Sequence, residues 1–310
     1  MAVEAAVGIF RFLQYGSVSV LFGSALCLLR LPQVAATGAA PFSRWPGPLL
    51  AGAALMLGLA SLGGLTAQAA LLAGSWQDGA KAETVTLVIS TMALGKAAVA
   101  RAAVAVVALA GLTLPRIPPP ARLGIAATAG AIAAASFAWS GHGAATEGAG
   151  HTAHLLADIA HSLAAALWIG ALAGFAVTAV AATRDRAQAA QLHRSLAGFS
   201  RIGSWLVGTL VLTGVANAVF LAGTDLRGAI GSPYGWLLAF KLALFVAMLG
   251  LAGAHRWLLV PALGRGLALP GGPGRAEIAR LRLSVAAELA VGLLVLAAVA
   301  WLGMLAPPRL

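Results

Sequence analysis

Eight apolar stretches, each long enough to cross a lipid bilayer, leave this chain little freedom of fold. They run over about 6–30, 48–74, 85–114, 121–139, 152–181, 198–222, 235–260 and 281–306. A bilayer core about 30 Å thick takes roughly 20 helical residues to cross. Only helices and closed barrels satisfy their backbone groups inside it. With 60% hydrophobic and 9% charged residues, the chain reads as an all-α polytopic integral membrane protein, eight transmembrane helices in one bundle. Punctuation marks the breaks: Pro32, Pro41, Pro46 and Pro48, then PRIPPP at 115–120, then LPGGPG at 269–274. No soluble domain fits in the connections, so residues 1–310 read as a single transmembrane domain. The opening MAVEAAVGIF lacks a basic n-region and reads as part of the first span, not as a signal peptide.

A formal charge of +11 in a soluble chain suggests nucleic acid, but here the basic residues gather in alternate connections. Arg30 and Arg44 follow span one, Arg116 and Arg122 span three. Arg184, Arg186, Arg194 and Arg201 follow span five; Arg256, Arg265, Arg275, Arg280 and Arg282 follow span seven. The other connections carry Lys81 and Arg227. The positive-inside rule explains this asymmetry without a nucleic-acid partner, and it predicts both termini outside. Cys27 is the single cysteine, which excludes intrachain disulfides, zinc ribbons and CxxC redox motifs. No Walker loop, HExxH or dinucleotide-binding turn is present, so the chain reads as a binding or transport protein, not an enzyme, with a redox enzyme as the alternative.

The chemistry concentrates at 151–175, HTAHLLADIAHSLAAALWIGALAGF. On a helix, His151, His154, Asp158 and His161 fall within roughly an 80° arc. Ionisable groups inside a membrane are costly, so several on one face point to a site. Imidazole and carboxylate at i, i+3 and i, i+4 suit copper, zinc, nickel or iron. Histidines so spaced also serve as proton relays, haem ligands or hydrogen-bonding groups between helices. The preceding loop SGHGAATEGAGH adds His142 and Glu147, so four of the six histidines lie within 142–161. On the predicted topology this cluster is external and just submerged.

Asp158 lies at about the depth of Lys241, so a structural ion pair competes with a ligand role. Met92, near the depth of His161, and Met304, near the outer end of span eight, are candidate thioether ligands for Cu(I), with packing as the alternative. Trp168 continues the stripe. Lys96, Arg101 and Glu288 read as deep charges; Arg101 and Glu288 fall at similar levels, which predicts a buried pair between them, with ion or proton passage as the other reading of Glu288. Met56 and Cys27 lie toward the inner side as candidate exit ligands. Gly170 and Gly174 form a GxxxG, weak evidence of a helix contact among 38 glycines. His255 lies far from the cluster, too far for one haem to bridge.

LWIGALAG (167–174), FSRIGSWLVGTLVLTGVANA (199–218), SPYGWLLAFKLALFVAMLGLAGAHRWLLVPAL (232–263) and LRLSVAAELAVGLLVLAAVAWLGMLAPP (281–308) resemble the copper resistance protein D (CopD) family. The resemblance rests on Gly214 and Asn217, Tyr234, Gly235 and Lys241, and Glu288 and Gly292. It covers 151–306 as a core, while the first four spans, 1–140, agree in number and hydropathy. It implies an eight-span protein of the bacterial cytoplasmic membrane that accepts copper, as Cu(I) or Cu(II), at its periplasmic face and imports or delivers it. A separate periplasmic copper-binding protein of the CopC kind is the implied partner, and the His stripe the copper entrance. A haem- or quinone-linked redox protein and a non-transporting copper sensor or assembly factor stay open. Nothing in the sequence sets an oligomeric state.

Overall fold

Glycine decides how closely two helices cross at the centre of this bundle. A Cβ on Gly23 would stand 2.6 Å from Ala166 O and 2.8 Å from Gly170 Cα, so spans one and five touch there backbone to backbone. Ser24 Oγ donates to Gly170 O at 2.6 Å across the same contact. The first helix widens into a π-turn over Val20–Ser24 at this point. The GxxxG is therefore a packing surface: Gly170 is the crossing point, and Gly174 faces Ser24. This crossing fixes the helix that carries the histidines.

The structure, a computed structural model, describes residues 2–30, 46–141, 150–181, 186–222, 231–270 and 275–305. Among them, eight helices are long and apolar enough to cross a membrane: Ala2–Arg30, Pro46–Ala73, Ala93–Thr113, Pro119–Trp139, His151–Val180, Arg186–Leu221, Pro233–Ala268 and Ala276–Leu302. They are called spans one to eight in chain order. No strand occurs among the described residues, as the eight apolar runs predict.

Span one is the hub. Val18, Leu21, Ala25 and Leu28 bury against spans two to four in a cluster with Leu57, Ala108 and Ala126 that also takes in Ala166 of span five. A second cluster joins spans five to eight through Phe175, Leu192, Leu263, Leu281 and Val285. Small residues dominate the first cluster because close backbone packing, not exclusion from water, holds helices together in lipid. Spans six and seven expose Trp205, Leu212, Trp236, Val246 and Trp257, an apolar surface suited to acyl chains.

Three boundaries differ from the hydropathy reading. The run at 85–114 is two helices, Ala82–Thr91 and Ala93–Thr113, because Met92 is extended at φ −110°, ψ 137°. Gly95 permits the fold-back: a Cβ there would meet Val88 C at 2.7 Å. Hydropathy misses this break because both pieces are apolar. Span six begins earlier and span seven ends later than expected, since their flanking turns, bearing Arg194 and Arg265, remain helical. Between spans two and three, Lys81 Nζ pairs with exposed Asp78 at 2.7 Å. Lys81 and the Ser75 hydroxyl hold the Asp78 carboxyl below the usual carboxylate range.

Candidate metal site

Span five presents His151, His154, Asp158 and His161 from one continuous helix, as their spacing predicts. His154, Asp158 and His161 are each met by a group that sequence spacing did not single out for it. Fully buried His154 stacks on Phe220 of span six, ring centroids 4.7 Å apart and planes 13° from parallel. Asp158 Oδ1 accepts from Asn217 Nδ2 at 2.6 Å. His161 Nδ1 lies 2.9 Å from Thr213 Oγ1.

This last contact sets a tautomer. The Thr213 hydroxyl already donates to Thr209 O at 2.6 Å, so its oxygen accepts and His161 Nδ1 carries the proton. Nε2 then holds the lone pair, the form in which imidazole ligates a metal. Gly214 lies beside the ring, where an added Cβ would stand 3.6 Å from Cε1. Thr213, Asn217 and Phe220, at i, i+4 and i+7 on span six, thus line the partner face of the stripe.

Ionisable groups of several helices surround Asp158. Lys241 and Tyr234 of span seven, Tyr15 of span one and His154 of its own helix all stand within electrostatic range of it. Lys241 also stands within electrostatic range of His161. At roughly 1.5 Å per residue the four stripe groups rise as a ladder of about 15 Å, not a ring around one point. Accordingly, no three His, Cys, Asp or Glu side chains among the described residues are grouped to hold a metal ion. His142 and Glu147 lie outside the described residues.

The remaining candidates fall elsewhere. Met92 packs with Leu65, Ala69, Val88 and Ala98. Met304 Cε sits over Gly8, 3.2 Å from the position of an added Cβ. Lys96 is exposed in the first turn of span three. That span starts at Ala93, which leaves a lysine there near the helix end and within reach of an interface along its apolar stem. Cys27 packs against the cluster of spans five to eight, whereas Met56 is exposed.

The Arg101–Glu288 pair does not form. Arg101 is buried, its Nη1 bonded to Ser136 Oγ at 3.1 Å and Ser140 Oγ at 3.2 Å, with its guanidinium 4.9 Å from the Phe137 ring centre. Glu288, 1% exposed, accepts from Trp168 Nε1 at 2.9 Å and lies 2.8 Å from His255 Nδ1. Equal depth along two helices does not make neighbours: span three lies across the bundle in the first cluster, while Glu288 faces spans five and seven. Trp168, expected to continue the stripe, holds Glu288. The signal for this group was present in sequence, since Trp168 follows His161 by two turns and Glu288 is a lone carboxylate in an apolar run.

Residues 1–152 match the family described as copper resistance protein D-like, N-terminal domain, and residues 193–302 match copper resistance protein D. A copper resistance protein D from Pseudomonas syringae pv. tomato is 36% identical over 305 residues, covering 96% of this chain and 95% of that protein. No solved structure matches. Both halves of the eight-span chain are covered by these likenesses, and the chain belongs to the copper resistance protein D family.

Proposed function

We propose that this protein accepts copper at the end of the bundle where span five begins and carries it inward along the His151–His154–Asp158–His161 ladder. His161 carries the reading furthest: Thr213 fixes its tautomer so that Nε2 keeps the lone pair with which imidazole ligates a metal. Asp158 supplies the negative charge that attracts the cation, and Asn217 orients its carboxylate. A ladder of partial sites suits cargo in transit, which must bind strongly enough to enter and weakly enough to leave.

On this reading the basic connections face the cytoplasm and both termini lie outside the cytoplasmic membrane. A periplasmic copper-binding protein of the CopC kind delivers copper to His142 and Glu147. The protein transports and does not catalyse. The half from residue 151 carries the path, and the first four spans brace it.

Radiocopper uptake into proteoliposomes tests this. Wild type accumulates copper above empty vesicles, and His161→Ala reduces uptake at least tenfold. Copper binding without accumulation would replace transport by a sensing or assembly role.

A further inference from the structure

A cavity of about 780 Å³ opens between spans five, six, seven and eight, beyond the histidine ladder. Its polar groups include Trp168, His193, His255, Arg256 and Glu288, set in a largely aromatic and aliphatic wall. His255 is 7% exposed, and its Nε2 has no hydrogen-bond partner among the described residues. Its Nδ1 stands 2.8 Å from Glu288 Oε2, and the other Glu288 oxygen accepts from Trp168. Arg256 does not neutralise this carboxylate: its Nη1 bonds Ser204 Oγ at 2.6 Å and Ser200 O at 3.3 Å.

His255 lines the cavity with its Nε2 buried and unpartnered while Nδ1 stands within ion-pair distance of a carboxylate, the pairing that metal-binding histidines use. A carboxylate that accepts from Nδ1 fixes such a ring and makes the free nitrogen a better donor; Glu288 Oε2 stands at that distance with no other hydrogen-bond partner among the described residues. The location adds to the chemistry. His154, His161 and Trp168 recur every seven residues, so they share one face of span five with a drift of only ~20° per heptad. Each step along it is about 10.5 Å. The group around Glu288 is therefore the next polar station on the face that carries the ladder.

We propose that His255 Nε2 is a copper ligand at a second, inner transit site, with Glu288 and Trp168 as positioning residues. The proposal rests on the copper reading above but concerns different residues, so the two succeed or fail separately. Histidine carbethoxylation, mapped residue by residue by mass spectrometry on the purified full-length protein with and without Cu(I), reads both at once. Copper slows labelling of His255 at least fivefold. An unchanged His255 rate overturns the inner site, whether or not His154 and His161 are protected. Absence of His255 labelling in both samples also overturns it, since Nε2 is then not presented to the cavity.

A second measurement is independent of reagent access. X-ray absorption of copper-loaded protein in which His142, His151, His154, His161 and His193 are all replaced by alanine shows imidazole scattering that His255→Gln removes. Trp168→Phe, which keeps the bulk and loses the indole donor, weakens that copper about tenfold or more. Imidazole scattering that persists after His255→Gln overturns the assignment.

Discussion

Asn217 Nδ2 donates to Asp158 Oδ1 at 2.6 Å, joining span six to the carboxylate around which Lys241, Tyr234 and Tyr15 are arranged. A hydrogen bond to a charged group contributes roughly 1.5–3 kcal/mol. Asn217→Ala lowers stability by that order, read as reduced thermal unfolding temperature in detergent. An unchanged transition would mean that the contact holds nothing in place.

The Thr213 hydroxyl does not reach metal; it sets which nitrogen of His161 does. Thr213→Val removes the acceptor at nearly constant volume and weakens copper binding about 10–100-fold. Thr213→Ser restores it. Equal affinity in the valine variant would show that the tautomer is set by something else.

Helix crossing makes a contrasting pair of glycines. Gly170→Ala forces a methyl into the backbone of span one and costs about 1–3 kcal/mol by overpacking. Gly124, in span four, has open space where a Cβ would go, and Gly124→Ala stabilises by up to about 1 kcal/mol through helix propensity. Unfolding temperatures moving the same way in both variants would contradict the crossing.

Arg101 and Glu288 share no partner. The stability effects of Arg101→Met and Glu288→Gln therefore add to within about 0.5 kcal/mol. A double mutant much more stable than that sum would restore the ion pair that depth counting suggested.

Span number and class were legible because a bilayer demands long apolar helices, and their lengths survive in the sequence. The stripe was legible because His151, His154, Asp158 and His161 lie on one helix, where spacing alone fixes a face. Relations between helices were not. Thr213 against His161, Asn217 against Asp158 and Glu288 against Trp168 depend on which spans are neighbours and at what rotation. Depth constrains neither, which is why it matched Arg101 to the wrong carboxylate. The break at Met92 was hidden for another reason: its cause is a close approach at Gly95, and hydropathy does not register close approaches. Because that break moves the start of span three, it also moved Lys96 from the interior to an exposed first turn.

Copper retained per chain tests the central claim most directly. Detergent-purified wild type and His154→Ala/His161→Ala are exposed to equal copper, desalted and measured by elemental analysis, with matched unfolding transitions confirming that both are folded. Wild type retains copper, and the double variant loses the share held by the stripe. Equal retention in the two proteins, or none in either, would contradict a copper path that begins on span five.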